Sequence, residues 1–344
     1  MDLDWLRSDV ARAFLTASAV VGSASVITFF FKVYRDSRIK ECPAKPSLDG
    51  KVYLITGGSS GIGLELAKQV AKLGATTIIG SPNEKTGLEA VETIKKDCGD
   101  QEVSIHWMEL HLDSFVDVCK FAEAFAHRYE SLDCLVNNAG IMLSPYRLTK
   151  DGIESHFAIN HLGHVYLTQL LGNMLEMSGS SEMPARIVFI SSGKYKKATM
   201  ASFSTVNSSE GYNPEVAYAR SKLASILYAR SLAREYHQAN VPVSVYLARP
   251  GFVRGTNLGR NVPAILRVFA KPLMWFFGIT PKQAVQNLLY CCTAKLLSGA
   301  MYNNCEICPY DYDLVNEANE KYMADYTRGL VAKILDENDL PPSL

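Results

Sequence analysis

From Lys51 onward, short apolar runs alternate with stretches of helical spacing, and this alternation constrains the fold more than any other feature of the chain. Residues 51–56 (KVYLIT), 75–79, 103–108, 134–136, 186–190, 243–247 and 300–302 have the length and apolar character of buried strands. Helices are predicted between the first of these, over 62–73, 84–97 and 115–129. Strands separated by helices of this length pack as right-handed βαβ units. The predicted fold is therefore α/β: a doubly wound parallel sheet with helices on both faces. A chain of 344 residues has room for one such domain plus appendages.

The appendages are predicted at the two ends. After a short tail (1–12), residues 13–31 form an uncharged run of 19, which as a helix would measure about 28 Å, close to the hydrocarbon thickness of a bilayer. Asp2, Asp4 and Asp9 ahead of it fit poorly with the basic start of a cleaved signal, so a retained transmembrane anchor is expected. Lys32, Arg35, Arg38 and Lys40 crowd its C-terminal side, and the positive-inside rule then places the bulk of the chain in the cytosol. Residues 32–49, with Pro43 and Pro46, read as a basic juxtamembrane linker, 50–310 as the main domain, and 311–344 as a C-terminal helical extension.

Charge and cysteine usage remove some functions. Lysine plus arginine (35) equals aspartate plus glutamate (35), which leaves no basic field for general nucleic-acid binding. The eight cysteines include one CxxC, Cys305–Cys308, without a histidine nearby to complete a zinc site, so no metal is expected and the thiols read as reduced.

Two motifs carry chemistry. The first strand runs into Thr56-Gly57-Gly58-Ser59-Ser60-Gly61-Ile62-Gly63 and then directly into a helix. A dinucleotide pyrophosphate must come close to backbone N–H groups at a helix N-terminus, and side chains would block that approach. Further on, Tyr218 and Lys222 are spaced to share one face of a helix. Hydride transfer between an alcohol and a nicotinamide needs a partner for the proton on the same oxygen. A tyrosine titrating near pH 10 is a poor base, and a neighbouring ammonium should lower its pKa and make it useful.

The TGxxxGxG spacing, Asn137-Asn138-Ala139-Gly140, Asn160 in an NHLG run, Ser192 at the end of the 186–190 strand and the Tyr218–Lys222 pair occur in one order. Together they resemble the short-chain dehydrogenase/reductase family, over about 48–302. The resemblance implies a Rossmann-type domain. It also implies that Gly57, Ser59, Gly61, Ile62, Gly63 and Asn137 contact the cofactor, with Thr256 on its nicotinamide side. Tyr218 would be the acid/base, Lys222 would tune it and bind ribose, Ser192 would hold the substrate oxygen, and Asn160 would support a proton relay. NNAGIM, DGIESHFAINHLGHVYLT and YARSKLASILYARSLARE look most like the retinol-dehydrogenase branch and the X-linked dehydrogenase/reductase type. Such relatives are mostly membrane-bound and act on retinoids and other isoprenoids; they often form homodimers, which nothing in these residues decides. The expected function is interconversion of a hydrophobic alcohol and its aldehyde or ketone at the endoplasmic reticulum, with the lipid droplet and mitochondrial outer membrane left open. A steroid or fatty-chain reductase, or a non-catalytic nucleotide-sensing scaffold, are the alternatives.

Three positions depart from the family pattern. Gly80-Ser81-Pro82-Asn83 supplies neither the acid that selects NAD nor the arginine that selects NADP, which leans toward NAD without excluding dual use. His111 stands where an aspartate usually meets the adenine. The Pro250–Thr256 loop is one residue longer than usual. Beyond it, 262–279 (VPAILRVFAKPLMWFFGI) is apolar but interrupted by Arg267, Lys271 and Pro272, and is expected to act as a lid rather than as a second span, either lying in a membrane interface or buried on the domain.

Overall fold

A computed structural model describes residues 29, 31–256, 258 and 272–344. Eight strands form one sheet: β1 (Val52–Thr56), β2 (Thr76–Ser81), β3 (Ile105–Glu109), β4 (Cys134–Asn137), β5 (Ala185–Ile190), β6 (Val243–Ala248), β7 (Met301–Asn303) and β8 (Glu306–Ile307). Their order is β3-β2-β1-β4-β5-β6-β7-β8, and every pairing is parallel except β7 with β8. The chain changes direction of winding between β1 and β4, which opens a crevice at the carboxyl ends of those strands.

Alternation along the strands splits the core in two. Leu54, Leu135, Ile187 and Val245 face one helical layer, made by α3 (Phe115–Arg128), α5 (Gly163–Leu170), α7 (Pro214–Gln238) and α9 (Glu317–Asn338). Ile55, Val136, Val188 and Tyr246 face the other, made by α1 (Gly61–Lys72), α2 (Glu84–Cys98) and α8 (Pro281–Thr293). Shorter helices α4 (Ser155–Phe157) and α6 (Gly172–Ser178) flank α5, and a π-helical segment, Ala158–Leu162, joins α4 to α5. The predicted doubly wound sheet is thus present, with the limits of the seven predicted strands within two residues of the expectation and β8 in addition to them.

Both described ends pack on the domain. α9 is part of the core: buried Glu320 binds Arg230 and Arg234 of α7, and Thr327 meets His161 at 2.9 Å. The predicted linker lies on the domain, because Cys42 and Leu48 are apolar enough to bury; the Cys42 amide donates to Gln286 of α8 and the Leu48 amide to Leu73. Most of the predicted anchor, and 262–271 of the predicted lid, fall outside the described residues. Among the described residues, no helix is long and apolar enough to cross a membrane.

Candidate active site

The glycine turn sits at the carboxyl end of β1. Gly57 and Gly61 adopt positive φ (66° and 60°), which favours glycine. A Cβ on Gly63 would lie 2.5 Å from the Gly57 carbonyl oxygen, so the turn and the first turn of α1 touch backbone to backbone. Ser60, the N-cap of α1, makes no side-chain capping bond, and the first helical turn carries no acid. These N–H groups and the helix dipole are left to an anion. Ser59 is half-buried in the turn, and half-buried Ile62 packs on the α1 side of the core. Thr256 closes the far wall, its Cγ2 only 3.4 Å from where a Cβ on Gly61 would be. The cradle, which side chains would fill, fits a dinucleotide.

The side chains of Asn137 and Asn138 turn to different partners. The Asn137 amide turns inward and donates to Thr168 at 3.1 Å, whereas Asn138 donates to the Thr56 carbonyl at 2.8 Å and reaches Gly57. The side chain that meets the glycine turn is Asn138. Thr56 ties the elements together: its hydroxyl accepts from the Asn138 and Ala139 amides and lies 2.8 Å from His164 Nε2. His164 Nδ1 in turn faces the Asn160 carbonyl at 3.4 Å. This chain fixes the cradle against the segment that carries Asn160.

The catalytic candidates meet at the ends of β4 and β5. Asn213 caps α7 and Pro214 opens it, so the helix begins one turn before Tyr218 and delivers Tyr218 and Lys222 inward. Both are at least 95% buried. Ser192 faces the Tyr218 phenol and favours its phenolate, while its hydroxyl accepts from the Lys194 amide at 3.3 Å. Its neighbour Ser191 is buried and donates to the Met301 sulfur, so Ser192 is the serine that faces the site. Lys222 Nζ donates to the Ile190 carbonyl at 2.9 Å and lies 5.9 Å from the Tyr218 ring centroid. Asn160 clasps both the amide (2.8 Å) and the carbonyl (3.0 Å) of Ile141 and donates to Ser221 of α7 at 2.9 Å. Gly140 runs between them: a Cβ there would be 3.1 Å from Asn160 Oδ1 and 3.9 Å from Lys222 Nζ.

The electrostatics correct one expectation. Burial pushes the Tyr218 phenol above its ordinary value and Ser192 only partly opposes this. Burial also lowers Lys222 to about 8. Desolvation acts on both groups and outweighs the help that the spacing alone suggested the ammonium would give the phenolate.

Residues 51–265 match the short chain dehydrogenase family. The chain belongs to that family. Human retinol dehydrogenase 14 is 34% identical over 315 residues, covering 86% of this chain and 91% of its own. Human polyprenol dehydrogenase is 33% identical over 300 residues, covering 86% and 89%. Among solved structures, an uncharacterized protein from Mycobacterium paratuberculosis superimposes with a TM-score of 0.67 at 26% identity, over 83% of this chain and 95% of that one. The Pseudomonas aeruginosa RhlG/NADP complex gives 0.58 at 25%, over 75% and 96%. The chain is thus a short-chain alcohol dehydrogenase/reductase of the retinol-dehydrogenase branch.

One group in this short-chain dehydrogenase escaped the sequence reading. Glu154 and His156 are fully buried beside the site. His156 Nδ1 lies 2.8 Å from Glu154, Nε2 accepts from the Ser144 amide at 3.2 Å, and the Tyr212 hydroxyl bonds Glu154 and the Ser144 carbonyl. The imidazole edge meets the Tyr218 ring at 6.5 Å between centroids. With Asn160 holding Ile141, this cluster pins the other end of the 141–144 loop, where Leu143 has φ 55°. Its members are too far apart in sequence to announce themselves. Two of the positions that depart from the family pattern lie elsewhere. Ser81 is buried and accepts from the Trp107 indole at 3.0 Å. Exposed His111 pairs with Glu109 at the rim of a 630 Å³ cleft that contains none of the catalytic candidates.

Proposed function

We propose that this enzyme interconverts a long apolar alcohol, of retinoid or polyprenoid kind, with its aldehyde or ketone, using NAD or NADP. The observation that carries this reading is the convergence of Tyr218 and Lys222, buried on one face of α7, with Ser192 beside the glycine cradle. The names of the relatives, retinol and polyprenol dehydrogenase, support the substrate class.

The cofactor, when bound, donates or accepts the hydride. Gly57, Ser59, Gly61, Ile62 and Gly63 would hold its pyrophosphate side, Asn138 would keep the cradle in shape, and Thr256 would bound its nicotinamide side. Tyr218 exchanges a proton with the substrate oxygen, which Ser192 positions through a hydrogen bond. Because burial favours the neutral phenol, Tyr218 stands ready to donate to a carbonyl oxygen. Lys222 supports the reverse step by stabilising phenolate and would also bind ribose. Asn160 holds the Ile141 backbone beside Lys222 and would serve the proton relay there. The missing arginine near buried Ser81 favours NAD over NADP. Anchorage through 13–31, with the domain on the cytosolic face of the endoplasmic reticulum, suits a substrate dissolved in lipid.

The test is nicotinamide absorbance on membranes carrying the protein or Tyr218→Phe, with retinoid, polyprenoid and steroid alcohols and each dinucleotide in turn. Turnover should fall by about 100-fold or more in the variant. Turnover that survives the substitution unchanged would remove Tyr218 from the mechanism.

A further inference from the structure

We infer that the catalytic domain rests on the bilayer through one apolar footprint built from two segments distant in sequence, and that this footprint borders the mouth of the site. The inference rests on the anchored reading of 13–31 and extends it to the folded domain.

Phe31, Tyr34, Phe252, Leu273, Trp275 and Phe277 each leave between 49% and 65% of their surface exposed. They are neighbours rather than scattered residues. The short helix over 31–37 lies against the short helix over 272–277: Phe31 stacks on Phe276 at 5.7 Å, and Lys32 Nζ sits 4.9 Å from the Trp275 ring centroid. Arg35 donates to the Phe276 carbonyl while pairing with Asp36. The second segment is tied to the loop after Pro250. Ile279 donates to the Phe252 carbonyl at 2.9 Å, Arg254 donates back to Ile279 at 3.0 Å, and the Arg254 guanidinium binds the Trp275 carbonyl at 3.0 Å. Four residues past Phe252 comes Thr256, the wall of the glycine cradle.

A contiguous cluster of exposed aromatics calls for an occupant. The chain itself says which. Phe31 is both a member of the cluster and the last residue of the uncharged run of 19, so a bilayer spanned by that run must meet the domain here. Tryptophan, tyrosine and phenylalanine edged by lysine and arginine is also the composition that settles at headgroup depth. A long alcohol dissolved in the acyl layer would then reach the site past Phe252 without crossing water.

The full-length chain in phosphatidylcholine vesicles tests this through Trp275. Emission should be quenched by lipids brominated on the upper acyl chain, and that quenched component should disappear in Trp275→Phe, which leaves Trp5 and Trp107 in place. The triple variant Leu273→Asp, Trp275→Asp, Phe277→Asp should still sediment with vesicles and bind dinucleotide. Its KM for a bilayer-dissolved alcohol should rise about tenfold while turnover of a short water-soluble alcohol stays the same. A Trp275 component quenched by aqueous iodide and not by brominated lipid overturns the proposal. So does one shielded from both quenchers in a chain that crosslinks to a second copy through this face. The quenching result stands whether or not the enzyme turns over any alcohol supplied, so failure of the catalytic reading and failure of the footprint are separable.

Discussion

Replacing Gly63 with alanine probes how the sequence spacing becomes a binding site. A Cβ at this position would lie 2.5 Å from both the Gly57 carbonyl oxygen and Asn138 Nδ2, where ordinary contact begins at 3.4 Å. The missing space is therefore 3.4 − 2.5 = 0.9 Å on two sides. Neither neighbour can yield freely. Gly57 is held at positive φ with its own Cα side against Ala139, and the Asn138 amide is engaged by the Thr56 carbonyl at 2.8 Å. Overpacking of this kind costs about 1–3 kcal/mol. Relief comes by opening the turn from α1, which displaces the N–H groups aimed at the pyrophosphate. If most of that strain must be reversed on binding, dinucleotide affinity falls by roughly 10–100-fold. Titration of the detergent-solubilised protein with a reduced dinucleotide, followed by its fluorescence, measures this directly, and a thermal melt reads the stability. Gly329→Ala is the control: it is exposed within α9, an added Cβ meets nothing within 4 Å, and the change should stabilise by about 1 kcal/mol. A Gly63→Ala protein that binds dinucleotide as the wild type does, with an unchanged melt, would refute the backbone-contact argument.

Three further outcomes are expected. For carbonyl reduction, kcat/KM should fall along an alkaline limb with a midpoint near Lys222's value of about 8, since the ammonium form exists below it; Lys222→Arg should move that limb to higher pH, and a profile flat to pH 10 would sink the assignment. His161 and His164 are held neutral by burial, with values near 3 against an ordinary 6.5. The unfolded chain therefore binds more protons as pH falls from 6.5 toward 3, and stability is lost across that window; urea midpoints should decline from pH 7 to pH 5, and less steeply in the double variant His161→Gln, His164→Gln. Glu320→Gln strips the buried partner from Arg230 and Arg234 and should cost about 2–3 kcal/mol by urea unfolding, less than the ~3–5 of a fully buried pair because both guanidiniums keep contact with water.

The central strands were legible because they are buried on both faces, and double burial writes itself as an uninterrupted apolar run such as Tyr53–Ile55 or Ile187–Ile190. The glycine turn was legible for a related reason: backbone contact excludes every side chain, so composition and geometry coincide. Where a decision depended on direction rather than on residue type, sequence failed. Asn137 and Asn138 are chemically identical and adjacent, and only the turn at the end of β4 sends one to Thr168 and the other to the glycine turn. The Tyr218–Lys222 spacing correctly put both groups on one face of α7, but it carried no measure of depth, and depth reverses the pKa argument: burial raises the phenol and lowers the amine.

That reversal bears on how the site works. A tyrosine–lysine pair on an exposed helix would gain a little phenolate from the ammonium and nothing else. Sunk in the fold, the pair is a neutral phenol beside an amine lowered to about 8, which stays largely an ammonium at neutral pH and deprotonates more easily than an exposed lysine. In a dry site any charge that develops on the substrate oxygen would be felt strongly by the Ser192 hydroxyl and by the Lys222 ammonium. The same burial explains why so much of the surroundings is devoted to fixing backbone rather than touching substrate. Asn160 clamps Ile141, the Glu154–His156–Tyr212 cluster clamps Ser144, and His164 with Thr56 clamps Asn138 and Ala139. Each clamp satisfies loop N–H or C=O groups that would otherwise be lost to water in forming a dry pocket. An apolar substrate, as proposed, would reinforce that dryness, because it would bring no hydrogen bonds to replace the ones the loop would miss.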